Sequence, residues 1–254
     1  MRNACTLRRI GLTLCAFFLL GSLATAAEAA RKRKRPPSRR ARQTNVYKKY
    51  REAYASALVI EAGSGQELFS KNPNQLRAPA SLAKMMTELL TIEALDRGEV
   101  RLDEMVTVPA GVGAIGGSRV RLHAGEQLPF EELLRAMVIS SANDAAWVVA
   151  CHVAGSEAEF VRRMNERARE LGMRNTHYAN PHGLDRNDRP GSLTTARDQS
   201  ILARALLQHP MTLDIASTVC DTIRGGQVIR TTNRLLGTCE GVDGLKTGYT
   251  GKAG

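Results

Sequence analysis

The sequence predicts an α+β fold in which an antiparallel sheet is flanked by helices. Three observations predict it: a strand-turn-strand pattern at residues 55–69, five segments between residues 82 and 208 with apolar side chains at helical spacing, and two short β-type runs at 219–222 and 227–231. With 254 residues and a hydrophobic fraction of 43%, the chain can bury a proper core, which excludes disorder throughout.

The first thirty residues stand outside that core. Arg2, Arg8 and Arg9 precede an apolar run from Ile10 to Leu23, and small residues follow from Ala24 to Ala30. The run is shorter than the roughly 20 residues of a membrane span, and A-x-A sites end at Ala26 and Ala29, so residues 1–30 read as a secretory signal peptide. Leu14, a bulky residue before Cys15, argues against a lipoprotein. The expected location is exported: the periplasm or the outer face of the cytoplasmic membrane.

Net charge is +11, and its position matters more than its size. Residues 31–51 alone carry eleven Lys and Arg with no acid, residues 1–30 carry +2, and the remaining 203 residues sum to −2. The basic character therefore belongs to an arm, and a nucleic-acid partner is not expected. Residues 31–50 read as a self-repelling, proline-containing disordered linker, and residues 31–42 could lie on an anionic membrane surface. Residues 51–254 form the predicted folded domain.

Within the domain, Ala55 to Phe69 reads as a β-hairpin turning at Gly63-Ser64-Gly65. Ala78-Pro79-Ala80 then leads in extended form to Ser81, and Leu82 to Asp96 reads as a helix stopped by Gly98. A glycine-rich stretch, Val108 to Gly125, predicts loops and short strands. Further helices are expected over 130–139, 144–154 and 157–172, and over 194–208 with Thr194 or Thr195 as N-cap. Lys246-Thr247-Gly248 reads as a strand. The chain ends at Gly254 soon after it, so the domain is expected to be truncated, its C-terminal part missing.

Three strings carry chemistry together: Ser81-Leu82-Ala83-Lys84, Ser141-Ala142-Asn143 and Lys246-Thr247-Gly248. Serine and lysine three apart on a helix share a face, so the Lys84 amine can take the Ser81 proton. A helix start also aims N–H groups at a developing oxyanion. Lys84 must be neutral to act as a base, which burial and a second cation, Lys246, would promote. Ser141 can relay a proton to a leaving group, Asn143 can orient Lys84 and bind a substrate carbonyl, and Lys246 and Thr247 can hold a carboxylate. Gly248 would let an extended substrate approach the strand edge. Taken singly, Ser81 and Asn143 could be helix caps and Lys246 an edge-strand charge; the joint order is what makes the set specific.

These strings resemble the signature of the penicillin-recognising serine enzymes. With Gly116-Gly117-Ser118, Asn143-Asp144-Ala145, Glu170-Leu171-Gly172-Met173, His182-Gly183-Leu184-Asp185, Thr195-Ala196-Arg197-Asp198 and Val242 to Thr250, the chain resembles the low-molecular-mass penicillin-binding proteins that are D-alanyl-D-alanine carboxypeptidases, serine peptidase family S11. The resemblance covers about residues 50–254 and implies a β-lactamase/transpeptidase-like fold. It implies that Ser81 attacks the carbonyl between two terminal D-alanines of a peptidoglycan stem peptide, and that β-lactams acylate the same serine. It further implies an oxyanion hole from the N–H groups of Ser81 and Tyr249, the latter at a position often His in the family, and an upstream arginine for the terminal carboxylate, for which Arg234 is the candidate.

Alternatives of the same and other classes remain: a D,D-endopeptidase of the family, and a catalytically inactive cell-wall-binding protein. A class A β-lactamase would carry a Glu-x-x-Leu-Asn string, which is absent. No zinc-ligand spacing or cofactor motif occurs. Three cysteines follow the signal segment; Cys151 is expected to be buried, and Cys220 and Cys239 could pair.

Overall fold

The structure is a computed structural model that describes residues 54–184, 191–251 and 253. The signal-peptide and basic-arm readings lie outside the described residues. From Tyr54 onward the chain forms one compact unit.

The opening hairpin pairs β1 (Ala57–Ile60) with β2 (Glu67–Lys71) in antiparallel register, Val59 opposite Phe69. Its turn is closed locally: the Glu61 carboxylate accepts from the N–H groups of Gly63 at 2.8 Å and Ser64 at 2.5 Å. Helix α1 (Ala83–Asp96) follows a 3-10 turn at Ala80–Leu82. Nearly all of α1 is buried, from Ala83 through Ile92 and again at Ala94, which fits a helix that other elements surround on all sides.

Strands β3 (Met105–Thr107) and β4 (Gln127–Pro129) bracket the glycine-rich stretch, which is mostly loop with a 3-10 turn at Val112–Ala114. Helices α2 (Phe130–Ile139), α3 (Asn143–Ala154), α4 (Glu157–Glu170) and α5 (Ala196–Leu206) then appear where the apolar periodicity predicts them. Ser156 caps α4 by accepting from the Glu159 N–H, and Thr195 caps α5 by accepting from that of Asp198. Arg204 of α5 donates to the carbonyls of Ala62 and Gly63, tying the first hairpin down. Helix α6 (Pro210–Ala216) leads to the hairpin of β5 (Cys220–Ile223) and β6 (Gln227–Arg230).

Two apolar clusters organise these parts. One joins α2 and α3 to the β3–β4 and β5–β6 hairpins through Phe130, Leu134, Met137, Val149, Val106 and Ile229. The other joins α1 to α4 and α5 through Met86, Leu89, Phe160, Met164 and Leu202. Val153, Met211 and Leu245 pack against both. The motifs sit along the seam between the two clusters.

One expected element is absent and one unexpected element is present. Residues 242–250 form no strand, because no described segment pairs with them and the backbone there is irregular. Helix α6 was not legible from apolar periodicity, being only two turns long, although Pro210 at its first turn is a helix-start signal. The β-structure of the described residues is three separate two-stranded antiparallel sheets. Cys151 is half-buried, and Cys220 and Cys239 are exposed free thiols.

Candidate active site

Ser81 lies in the 3-10 turn that runs into α1, and Lys84 stands one turn on, inside the helix. Their spacing puts the Lys84 amine 3.0 Å from the Ser81 Oγ. The same nitrogen lies 2.6 Å from the Asn143 Oδ1 and 3.0 Å from the His182 carbonyl oxygen. Lys84 is 1% exposed, so these partners and the surrounding core replace water around it. Burial, and then the charge of Lys246, hold the Lys84 amine well below the usual lysine range, with Asp144 pulling the other way. A lysine in that condition can accept a proton near neutrality.

Asn143 opens α3, but its side chain does not cap the helix. Oδ1 faces Lys84, while Nδ2 donates to the Gly116 carbonyl at 2.8 Å. The Asn143 N–H donates to the Ser118 carbonyl at 2.7 Å, so both ends of the residue are tied to the glycine-rich loop. Asp144 holds that loop as well, its carboxylate accepting from the N–H groups of Val120 and Leu122. Ser141 sits just ahead in a left-handed conformation, φ +59°, unusual for a non-glycine residue and of the kind that clusters at functional sites. It is 95% buried, and its Oγ accepts from the Lys246 amine at 2.9 Å rather than from Lys84.

Lys246 also donates to the Thr247 carbonyl at 2.9 Å. Burial lowers its ammonium to about 8, with Glu88 pulling it back up. Thr247 Oγ1 shares a hydrogen bond with Thr232 Oγ1 at 2.6 Å, and Asn233 Nδ2 donates to the Gly244 carbonyl, so the turn after β6 anchors this segment. A side-chain carbon added at Gly248 would fall 3.1 Å from the Ser81 N and 3.2 Å from the Pro79 O, which shows how closely the segment passes the serine backbone. Tyr249 is 80% exposed. Arg234 is exposed in the turn at 234–238, and among the described residues no hydrogen bond or ion pair joins its side chain to Ser81, Lys84, Ser141 or Lys246.

The residues from Asn180 to Leu184 hold positions that motif spacing leaves unassigned. Asn180 Oδ1 accepts from the N–H groups of His182 and Gly183, and Thr87 Oγ1 donates to the Pro181 carbonyl at 2.6 Å. This turn delivers the His182 carbonyl to Lys84. Gly183 makes it possible: a Cβ there would lie 1.7 Å from the Ala80 O, immediately before the candidate nucleophile. A cavity of about 580 Å³ adjoins the site, lined in part by Gly116, His182 and Leu184.

Residues 43–254 match the family profile of peptidase S11, described as D-alanyl-D-alanine carboxypeptidase. The chain belongs to that family. It is 40% identical over 202 residues to the D-alanyl-D-alanine carboxypeptidase DacF of Bacillus subtilis, covering 78% of this chain and 51% of the relative. It is 30% identical over 250 residues to a D-alanyl-D-alanine endopeptidase of Pseudomonas aeruginosa, covering 96% of this chain and 75% of that one. The crystal structure of penicillin-binding protein D2 from Listeria monocytogenes in its ampicillin-bound form superposes with a TM-score of 0.71 at 32% identity, covering 79% of this chain and 81% of that one. The fold is thereby that of the penicillin-binding serine peptidases of family S11. The chain spans about half the length of the first curated relatives it matches.

Proposed function

We propose that this family S11 chain carries the acylation centre of a serine-type D-Ala-D-Ala carboxypeptidase acting on peptidoglycan stem peptides. The observation that supports it most is the buried Lys84 amine bonded at once to the Ser81 hydroxyl, the Asn143 amide oxygen and the His182 carbonyl. A surface lysine beside a helix cap would have none of these features.

In this reading neutral Lys84 accepts the Ser81 proton as Oγ attacks the carbonyl carbon of the penultimate D-alanine. The tetrahedral oxyanion is stabilised by the N–H groups of Ser81 and Tyr249. When the C–N bond breaks, the departing D-alanine amine takes the proton that Lys84 accepted, passed on through the Ser141 hydroxyl beside Lys246, which leaves Lys84 neutral for the next step. Water then hydrolyses the Ser81 ester, returning the hydroxyl. Lys246 and Thr247 meet the terminal carboxylate, Arg234 is the further candidate for it, and Gly248 keeps the approach to Ser81 open. β-Lactams, whose amide carbonyl and carboxylate mimic that terminus, are expected to acylate Ser81. The assignment places the protein outside the cytoplasm, with residues 31–42 as the segment suited to an anionic membrane surface.

A second reading is a D,D-endopeptidase cutting peptide cross-links, favoured by the similarity to the Pseudomonas endopeptidase. Both use the same acyl-enzyme and differ in the leaving amine. Supplying the full-length protein with a linear peptide ending in D-Ala-D-Ala and with a cross-linked dimer decides between them. Release of free D-alanine from the linear peptide supports the carboxypeptidase, preferential cleavage of the dimer supports the endopeptidase, and neither product from an intact folded protein overturns both.

A further inference from the structure

The cavity of about 580 Å³ beside the site has no part in the chemistry above, although its size falls within the roughly 300–1,000 Å³ of ordinary ligand pockets. Ala114, Ile115, Ala158, Val161 and Leu184 give it an apolar wall. Glu157 is the one carboxylate among the described lining residues. It opens α4, and Trp147 Nε1 of α3 donates to its Oε2 at 3.0 Å, which fixes the side chain in place. Among the described residues no hydrogen bond or ion pair engages its second oxygen, Oε1. The amide of Asn180, by contrast, is used on both sides: Oδ1 accepts from the His182 and Gly183 N–H groups, and Nδ2 donates to the Leu184 carbonyl.

The cavity shares its wall with the acylation centre. Gly116 and His182 both line it, and their carbonyls hold Asn143 and Lys84. Lys246 and Thr247, assigned above to the terminal carboxylate, do not line it. The cavity is thus left for the part of the peptide on the acyl side of the scissile bond. An apolar wall with one carboxylate suits a side chain that is aliphatic along its stem and cationic at its tip.

We propose that this cavity receives the side chain of the residue preceding D-Ala-D-Ala, and that Glu157 makes it selective for a side chain ending in an ammonium. Glu157 is then a specificity residue, remote from the reacting atoms. The inference deepens the carboxypeptidase reading and rests on it.

The experiment measures kcat/KM for D-alanine release by full-length wild type and Glu157→Gln from peptides ending in X-D-Ala-D-Ala, with X lysine, N-ε-acetyllysine or norleucine. Glutamine keeps an acceptor for Trp147 and removes the charge. Wild type should favour the lysine peptide about tenfold over the other two, a preference that Glu157→Gln loses while its norleucine rate and its acylation by a fluorescent penicillin stay unchanged. Hydrolysis of the norleucine peptide with no lysine preference in wild type, or with the same preference in both proteins, would overturn the pocket alone. A wild type that is acylated by penicillin but releases D-alanine from no peptide would overturn the carboxypeptidase reading. Competition of the peptides against penicillin labelling then decides on the pocket: better protection by the lysine peptide, lost in Glu157→Gln, upholds it, and equal protection overturns it. If Glu157→Gln does not fold, Ala158→Lys, at an exposed position on the same wall, should abolish the preference by pairing with Glu157, and an unchanged preference would overturn the assignment.

Discussion

The Lys84 amine and the Asn143 Oδ1, 59 residues apart in sequence, lie 2.6 Å from each other in the buried seam between the two apolar clusters. The contact joins the helix that carries Lys84 to Asn143 of α3, whose Nδ2 holds the Gly116 carbonyl, so one amide orients the candidate base and fixes the wall of the site. Asn143→Asp places a carboxylate against Lys84, which favours the ammonium and removes the base. The acid limb of the acylation pH profile is therefore expected to move up by about one unit or more, and acylation near neutrality to fall about tenfold. Penicillin acylation rates measured across pH 5 to 9 check this; an unmoved limb would show that Lys84 is not the titrating group.

Gly248→Ala tests the approach to the serine. The new methyl would press on the backbone nitrogens of Ser81 and Leu82 at 3.1 and 3.2 Å, displacing the segment that carries Lys246 and Thr247. The residue is exposed, so stability should change little while acylation falls by up to about a hundredfold. Parallel urea unfolding and acylation kinetics separate the two effects.

Gly183→Ala should fail differently. Its φ of +78° already disfavours a side chain, and the Cβ would collide with the Ala80 carbonyl. The turn that carries the His182 carbonyl must move, with an expected loss of about 3 kcal/mol or more of unfolding free energy. A variant that unfolds at the wild-type denaturant midpoint would contradict the packing described here.

Glu88, buried on α1, predicts a stability difference with a definite sign. Its folded-state carboxyl is raised to about 8 from an ordinary 4.5, so the folded state holds the proton more tightly than the unfolded one. The associated stability is fully present below about pH 4.5 and is lost as pH rises toward 8. Glutamine does not titrate, so Glu88→Gln should gain on wild type over that window, by about 3 kcal/mol at pH 7. Urea midpoints at pH 5 and pH 8 measure it, and a constant difference would place the carboxyl outside the core.

Much of this was legible in the sequence where one residue type at one spacing carries the information. Ser81 and Lys84 needed only helical spacing to meet, the apolar periods of α2, α4 and α5 follow from the faces they bury, and α1 and α3 are apolar enough to be enclosed. What escaped was backbone chemistry. The His182 and Gly116 carbonyls hold Lys84 and Asn143, yet any residue type has a carbonyl, so no side-chain pattern marks them. Division of labour between the lysines was also hidden: the Ser141 hydroxyl accepts from Lys246, a pairing between residues 105 apart that no local spacing marks. The expected strand at Lys246 failed since a strand is defined by its partner, and none lies among the described residues. Glu88 reads from sequence as one more polar residue on a helix, and only its complete burial sets it apart.

The central claim is that Ser81 is the nucleophile and Lys84 its base. Peptide mapping by mass spectrometry after treating the full-length protein with a penicillin tests it most directly. The account predicts one penicilloyl group per chain, on the peptide containing Ser81, lost in Ser81→Ala and formed far more slowly in Lys84→Ala. An adduct on another residue, or labelling that survives Ser81→Ala, would contradict it.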